Sequence, residues 1–365
     1  MLIQEIISTL ENIAPLQLQE SYDNAGLLTG EAGWECTGVL VSLDATEETV
    51  KEAVEKKCNL IVAHHPIIFS GLKKITGKTY VERTVIAAIK NSVAIYAAHT
   101  NLDNVMAGVN GRMADMIGLI NRQILQPKQS QLKKLIIFAP AAHADKIRTA
   151  VFAAGAGHIG NYSECSFNTS GEGTFKAGQG TNPFAGSIGE RHAESEIKIE
   201  TIFPQWLEGS IIKAMLAAHP YEEAAYDIVP LTNTLLSAGS GLIGELVLPM
   251  PEKDFLALVK KSFGLQAIKH TALTGKPVKT VAVCGGAGSF LIKPAIAAGA
   301  GFYITSDVKY HEFFDAEGRL VIADIGHYES EQYTINLLFD ILKEKYPTFA
   351  TLKTEINTNP VQYFF

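Results

Sequence analysis

Apolar residues at Leu2, Ile3, Ile6, Ile7 and Leu10 recur at helical spacing and predict an amphipathic helix over 2–11. TGVLVSLDA (37–45) is β-branched and apolar and predicts a strand. In TEETVKEAVEKKCN (46–59), Thr46 is placed as an N-cap, with acids early and lysines late, the charge order a helix dipole favours. NLIVAHHP (59–66) is a nearly continuous apolar strand stopped by Pro66. A helix over 79–92, a strand over 93–100 and a helix over 104–119 continue the alternation. This order predicts parallel strands covered by helices.

The pattern changes at the polar stretch QPKQSQLKK (126–134), which reads as a linker. A strand (134–140) and helix (143–155) come next, then a Gly/Ser/Thr-rich stretch near 160–195 expected to form hairpins with a mobile tip. A strand (196–204), helix (205–219) and strand (222–231) complete a β-α-β-β-α-β, ferredoxin-like unit. The α/β style resumes near 236: a helix at PEKDFLALVKKSFG, strands at 278–288, 301–307 and 319–326, a helix at 289–300, and a long last helix over 329–347. The expected fold is therefore a split α/β domain interrupted by an inserted α+β domain. The boundaries are 1–127 and 233–365 for the two parts and 128–232 for the insertion.

Composition adds exclusions. Apolar residues are 47% and charged residues 19%, as in soluble globular chains. A net charge of −7 argues against a nucleic-acid partner. No apolar run is long enough for a bilayer, and the first residues lack the pattern of a secretory signal. Cys36, Cys58, Cys165 and Cys284 form no CxxC pair and read as free buried thiols in a reducing cytoplasm.

The candidate chemistry lies at predicted strand ends. His64 and His65, Asp103, and His327 with Glu331 make a mixed nitrogen/oxygen donor set suited to divalent transition metals and rich enough for two ions. Adjacent strand residues face opposite ways, so either the strand is ending at His64–His65 or each histidine serves a different ion. Asp103 is assigned as a bridging carboxylate. His99, four residues before it, reads as a ligand-supporting group or a general acid/base. Tyr22-Asp23-Asn24 reads as an Asx turn or a loop lining the site. Lys309 and His311, in TSDVKYH after a strand, are placed on the substrate side as phosphate holder and proton carrier. The turn CGGAGS (284–289) fits a phosphate cradle or tight packing equally. GAGHIG (155–160) matches GxGxxG but follows a helix, so a dinucleotide site is rejected. His219, Glu222 and Glu223 in AHPYEE read as a structural turn or oligomer contact in preference to a metal site.

The ordered segments SYDNAGLL, VAHHP, HTNLD, CGGAGS, TSDVKYHE and HYESE resemble the NGG-interacting-factor-three-like family, also called dinuclear metal-centre proteins or GTP cyclohydrolase type 2 homologs. HPYEEAAYD resembles the CutA/PII-like insertion of longer bacterial members. The chain has Tyr-Asp-Asn where many members have Trp-Asp-Asn. The resemblance implies two ions held by His64, His65, Asp103, His327 and Glu331, zinc first, with iron, manganese or cobalt as alternatives. It also implies a homohexameric toroid with metal sites facing an inner cavity that the insertion caps. The expected function is a dinuclear metal-dependent hydrolase acting on a nucleotide or phosphoester. The alternative is a metal- or nucleotide-responsive adaptor without turnover.

Overall fold

The computed structural model describes residues 1–364. The chain divides into two compact units: Met1–Pro127 joined with Ser237 onward, and Lys128–Leu236 between them. The second boundary thus lies at Leu236, not at 232.

The strands, in chain order, are β1 (Gly26–Thr29), β2 (Val39–Ser42), β3 (Leu60–Ala63), β4 (Ala94–Ala97) and β5 (Ile120–Gln129). The inserted unit supplies β6 (Leu132–Pro140), β7 (Phe167–Lys176), β8 (Arg191–Pro204) and β9 (Tyr226–Leu231). After it come β10 (Thr234–Met250), β11 (Lys269–His270), β12 (Val278–Ala287), β13 (Phe302–Ser306), β14 (Val321–Asp324) and β15 (Thr351–Lys353).

The first unit holds two sheets. One runs β1-β4-β3-β2-β15, the other β11-β14-β13-β12-β10-β5. β2, β3, β4 and β15 are mutually parallel, as are β12, β13 and β14. Every residue of β2, β3, β4, β13 and β14 is buried, the run of apolar character that strands covered on both faces require. The sequence on both sides of the insertion contributes to each sheet. β15 returns to pair with β2, and Met113, Ala114 and Ile117 pack with Phe255, Phe302 and Ile304. The split α/β domain thus holds two sheets, each assembled across the insertion.

Local sequence explains most elements. Ile3, Ile6, Ile7 and Leu10 form the buried stripe of helix Ile3–Ile13. The Thr46 side chain accepts the Thr49 N–H and starts helix Glu47–Glu55. Three expectations change. The 126–134 linker is largely strand, because β5 is a sheet edge, where proline and polar side chains are tolerated. The 104–119 helix is shorter, Val109–Met116, and a separate turn, Thr100–Asp103, precedes it. The last helix is two pieces, His327–Glu331 and Thr334–Lys345.

In the inserted unit the sheet order is β7-β8-β6-β9, with each neighbouring pair antiparallel. Helices Ala144–Ala153 and Glu208–Ala218 cover it, burying Ile147, Val151, Ile211 and Met215 on Leu135, Ile137, Ile199 and Phe203. That is the split βαβ arrangement expected from the β-α-β-β-α-β order. The four cysteines are free; Cys36, Cys58 and Cys284 are buried, and Cys165 is half-buried. No helix among the described residues is long and apolar enough to cross a membrane.

Candidate metal centre

Parallel strands deliver their carboxyl ends to one place, where open α/β sheets collect functional groups. β3 ends at Ala63, so His64 and His65 follow the last strand residue; both backbone N–H groups turn to the Leu43 carbonyl. β4 ends two residues before His99, which caps the turn bearing Asp103. β14 ends three residues before His327, and the turn His327–Glu331 places both side chains on one face.

Four imidazoles share one design. Each Nδ1 meets an acceptor: His64 the Ala98 carbonyl, His65 the Asp44 carboxylate and His99 the Asp23 carboxylate, all at 2.7 Å, and His327 the Asp307 carboxylate at 2.6 Å. Such partners fix the ring orientation and direct Nε2 to the shared space, as in metal-ligating histidines. His65 Nε2 lies 2.9 Å from Glu331 Oε2, and His327 Nε2 lies 3.0 Å from the same oxygen. His64 Nε2 lies 3.7 Å from both Asp103 Oδ1 and Glu331 Oε1. His64 Nε2 and Asp103 Oδ1 are enclosed and have no hydrogen-bond partner. Two buried polar atoms left unpaired and aimed at one another's space fit a cation between them.

The donors fall into overlapping groups: His64, Asp103 and Glu331; His65, His327 and Glu331; and His64, His65 and His99. Glu331 is shared by the first two. Asp103 thus belongs to one of these groups, whereas Glu331 is the carboxylate common to both. Two glycines make room for it. A Cβ on Gly286, whose φ is +63°, would lie 2.4 Å from Glu331 Oε1, and one on Gly285 would lie 3.4 Å from its Cγ.

The titration behaviour follows from burial and charge. Burial pushes the His64 imidazole below its ordinary value. Burial opposes protonation of His65 and His327 too, but hydrogen bonds to Asp44 and Glu331 hold His65 at about 10, and those to Glu331 and Asp307 hold His327 at about 9. Burial would raise Glu331, yet the three imidazoles around it hold it well below the carboxylate range. Burial, then the Glu331 charge, pushes Asp103 well above that range. Asp23 is also opposed by burial, but His99 and Thr100 bring it to about 2. Opposed shifts in one cluster are typical of functional sites.

These groups line a cavity of about 440 Å³. Its wall includes Tyr22, Phe69, Tyr80 and Phe290, all more than half exposed. A family model described as Duf34/NIF3 (NGG1p interacting factor 3) matches residues 1–360. The chain belongs to the Duf34/NIF3 family. A NIF3 relative from Halalkalibacterium halodurans, named GTP cyclohydrolase 1 type 2 homolog, is 40% identical over 99% of this chain and 98% of its own. One from Bacillus subtilis with the same name is 36% identical, again over 99% and 98%. Among solved structures, a Bacillus cereus protein related to NIF3 superposes with a TM-score of 0.86 at 38% identity, covering 100% of this chain and 99% of that one.

Other predicted residues of this NIF3 chain lie elsewhere or act differently. Lys309 and His311 are exposed and do not line the metal cavity; His311 stacks on Phe314 and meets Tyr310 edge-on. Asp307 turns the chain there, with φ of +56°, and it alone of that segment reaches the site through His327. The 284–289 turn does not present free donors at its start: Gly285 N–H goes to Asn110 and Gly286 N–H to Ser330. It seats Glu331 and cradles no phosphate at those positions. His219 uses both ring nitrogens structurally, Nε2 to the Phe138 carbonyl of β6 and Nδ1 to the Tyr221 N–H of its own turn. Asp44 escaped the sequence reading, although it follows β2 as the histidines follow β3.

Proposed function

We propose that this NIF3-family chain is a dinuclear metal-dependent hydrolase acting on a nucleotide or a related phosphoester. The observation that carries the proposal is the common set of the imidazoles: every Nδ1 is anchored, and the Nε2 atoms of His64, His65 and His327 converge on Glu331. His64, Asp103 and Glu331 would hold one ion; His65, His327 and Glu331 would hold the other. The mixed donor set suits zinc, with iron, manganese or cobalt as alternatives. Two ions there supply Lewis acidity and bring the pKa of water near 7.

The chain's own residues do the rest. His99, backed by Asp23, sits with its ring 5.3 Å from His64 and 5.5 Å from His65, within reach of a proton at the reacting atoms. Tyr22, Phe69, Tyr80 and Phe290 line the cavity with exposed aromatic surface, which suits a planar base. No lysine or arginine lines this cavity among the described residues, so a phosphate group would depend on metal for charge neutralisation. The relatives' name, GTP cyclohydrolase 1 type 2 homolog, supports a purine nucleotide as the starting point. We take the assembly to be a homohexameric toroid, which sedimentation checks as a mass six times 39.4 kDa; a monomer would refute it.

The test is elemental analysis of untagged protein followed by a nucleotide and phosphoester screen with each metal. About two ions per chain, and turnover lost with the metal in His64→Ala, are expected. Turnover that survives thorough chelation refutes the hydrolase. A ligand bound tightly but recovered intact would make the chain an adaptor.

A further inference from the structure

The inserted unit has a cavity of its own, of about 360 Å³, near the lower end of small-molecule sites. Besides Phe138 of β6, three rings that pack on one another line it: Phe175 from β7, Phe184 from the hairpin tip and Tyr221 from the turn before β9. Phe175 and Phe184 each lie 6.0 Å from Tyr221, at interplanar angles of 60° and 48°, so the rings form a corner and not a stack. Each is held from behind by an imidazole: Phe175 by His192 at 5.4 Å, Phe184 by His143 at 5.3 Å and Tyr221 by His219 at 5.0 Å.

The charges around the corner are mostly negative. Glu196, Glu222 and Glu223 line the cavity against one lysine, Lys176. Glu196 is specifically accommodated. Its Oε1 accepts the Tyr221 hydroxyl at 3.0 Å, and a Cβ on Gly173 would lie 2.2 Å from its Oε2. The glycine thus opens the position that the carboxylate fills. Among the described residues no lysine or arginine covers these rings; the cation-over-ring contact is Lys353 on Phe339.

We propose that this corner binds a small organic ammonium ion. Ring faces attract a cation within about 6 Å, and most strongly one with diffuse, weakly hydrated charge. The carboxylates supply the counter-charge. A metal aquo-ion would gain little from three rings, and an anion would be repelled by three carboxylates. This reading is independent of the metal centre.

Ligand-observed saturation-transfer NMR on the full-length protein tests it, with choline as probe and its neutral isostere 3,3-dimethylbutan-1-ol as control. Choline is expected to bind about tenfold more tightly than the isostere, the order a cation on aromatic faces gains. Phe184→Ala, at an exposed tip position, and Glu196→Gln should each reduce choline binding at least about threefold, with unchanged thermal unfolding. Equal binding of choline and its isostere, no saturable binding of either, or full choline binding in both variants would each overturn the proposal.

Discussion

Replacing Asp44, Asp307 or Asp23 with asparagine, one at a time, separates histidines that hold metal from the histidine that moves protons. The three carboxylates sit behind His65, His327 and His99, at 2.7, 2.6 and 2.7 Å from Nδ1. Asparagine keeps the shape but removes the charge that favours Nδ1–H and makes Nε2 more basic. Loss of such an outer partner lowers metal affinity by about 10–100-fold, which is about 1.4–2.7 kcal/mol. Asp44→Asn and Asp307→Asn are expected to show this loss in competition with a chromophoric zinc chelator. Asp44→Asn should be the more damaging, because Asp44 also accepts Thr358 and anchors the chain end. Asp23→Asn should keep metal within about threefold and lose turnover instead, since His99 lies outside both groups that share Glu331. If Asp23→Asn sheds metal as the other two do, His99 is a ligand and the proton-carrying role is wrong. If Asp44→Asn and Asp307→Asn keep full affinity, the anchoring of Nδ1 is not what prepares these histidines for metal.

Two shorter predictions test the frame around the site. Gly286→Ala forces a left-handed non-glycine residue, costing about 1–2 kcal/mol, and pushes its Cβ against Glu331; elemental analysis should find metal lost from both groups, and a variant with full metal would show that Glu331 is not seated there. Glu82 accepts the N–H groups of Thr76 and Lys78 and the Thr76 hydroxyl, which hold its pKa at about 2 against an ordinary 4.5. Its folded pKa is depressed, so its contribution is complete above the unfolded value and is lost as pH falls from 4.5 toward 2. Denaturant unfolding of Glu82→Gln should show destabilisation at pH 7 that shrinks toward zero near pH 2.5, and a difference constant with pH would refute the ion's role.

Much of the centre was legible because its residues sit where strand pattern stops. His64, His65, Asp103, His327 and Glu331 each follow an apolar strand or its capping turn, and the two groups that share Glu331 are made of those residues, while a third adds His99. The sharing of Glu331 was not legible, because it depends on two sheets meeting, and a linear pattern does not show which carboxylate faces both histidines. Lys309 and His311 misled for a local reason: beyond the left-handed Asp307 the chain packs Val308 into the core and leaves Lys309 and His311 at the surface. β10 was missed because Gly239, Gly241 and Gly244 interrupt its alternation; each is packed against neighbouring chain where a side chain would collide. β5 was read as a linker because an exposed edge strand carries the polar residues of a loop.

β5 and β10 also explain how the candidate metal site tolerates an insertion through its own domain. The chain leaves the first unit along β5 and re-enters it along β10, and these strands are neighbours in one sheet. A Cβ on Gly239 would lie 2.7 Å from the Pro127 Cα, so the two ends of the excursion are already side by side. Closing neighbouring strands with a short turn costs little more than keeping them joined through a folded domain. No ligand lies between Lys128 and Leu236, and every ligand-anchoring carboxylate lies outside it as well. A chain in which a four-residue turn replaces residues 130–235 should therefore fold and keep the metal content of the full-length protein, with zinc affinity within about threefold, since no first contact or its support is removed. If that chain folds but binds no metal, the insertion shapes the centre in a way that adjacency of its ends does not capture, and the independence of the two units fails as an account of how the site is built.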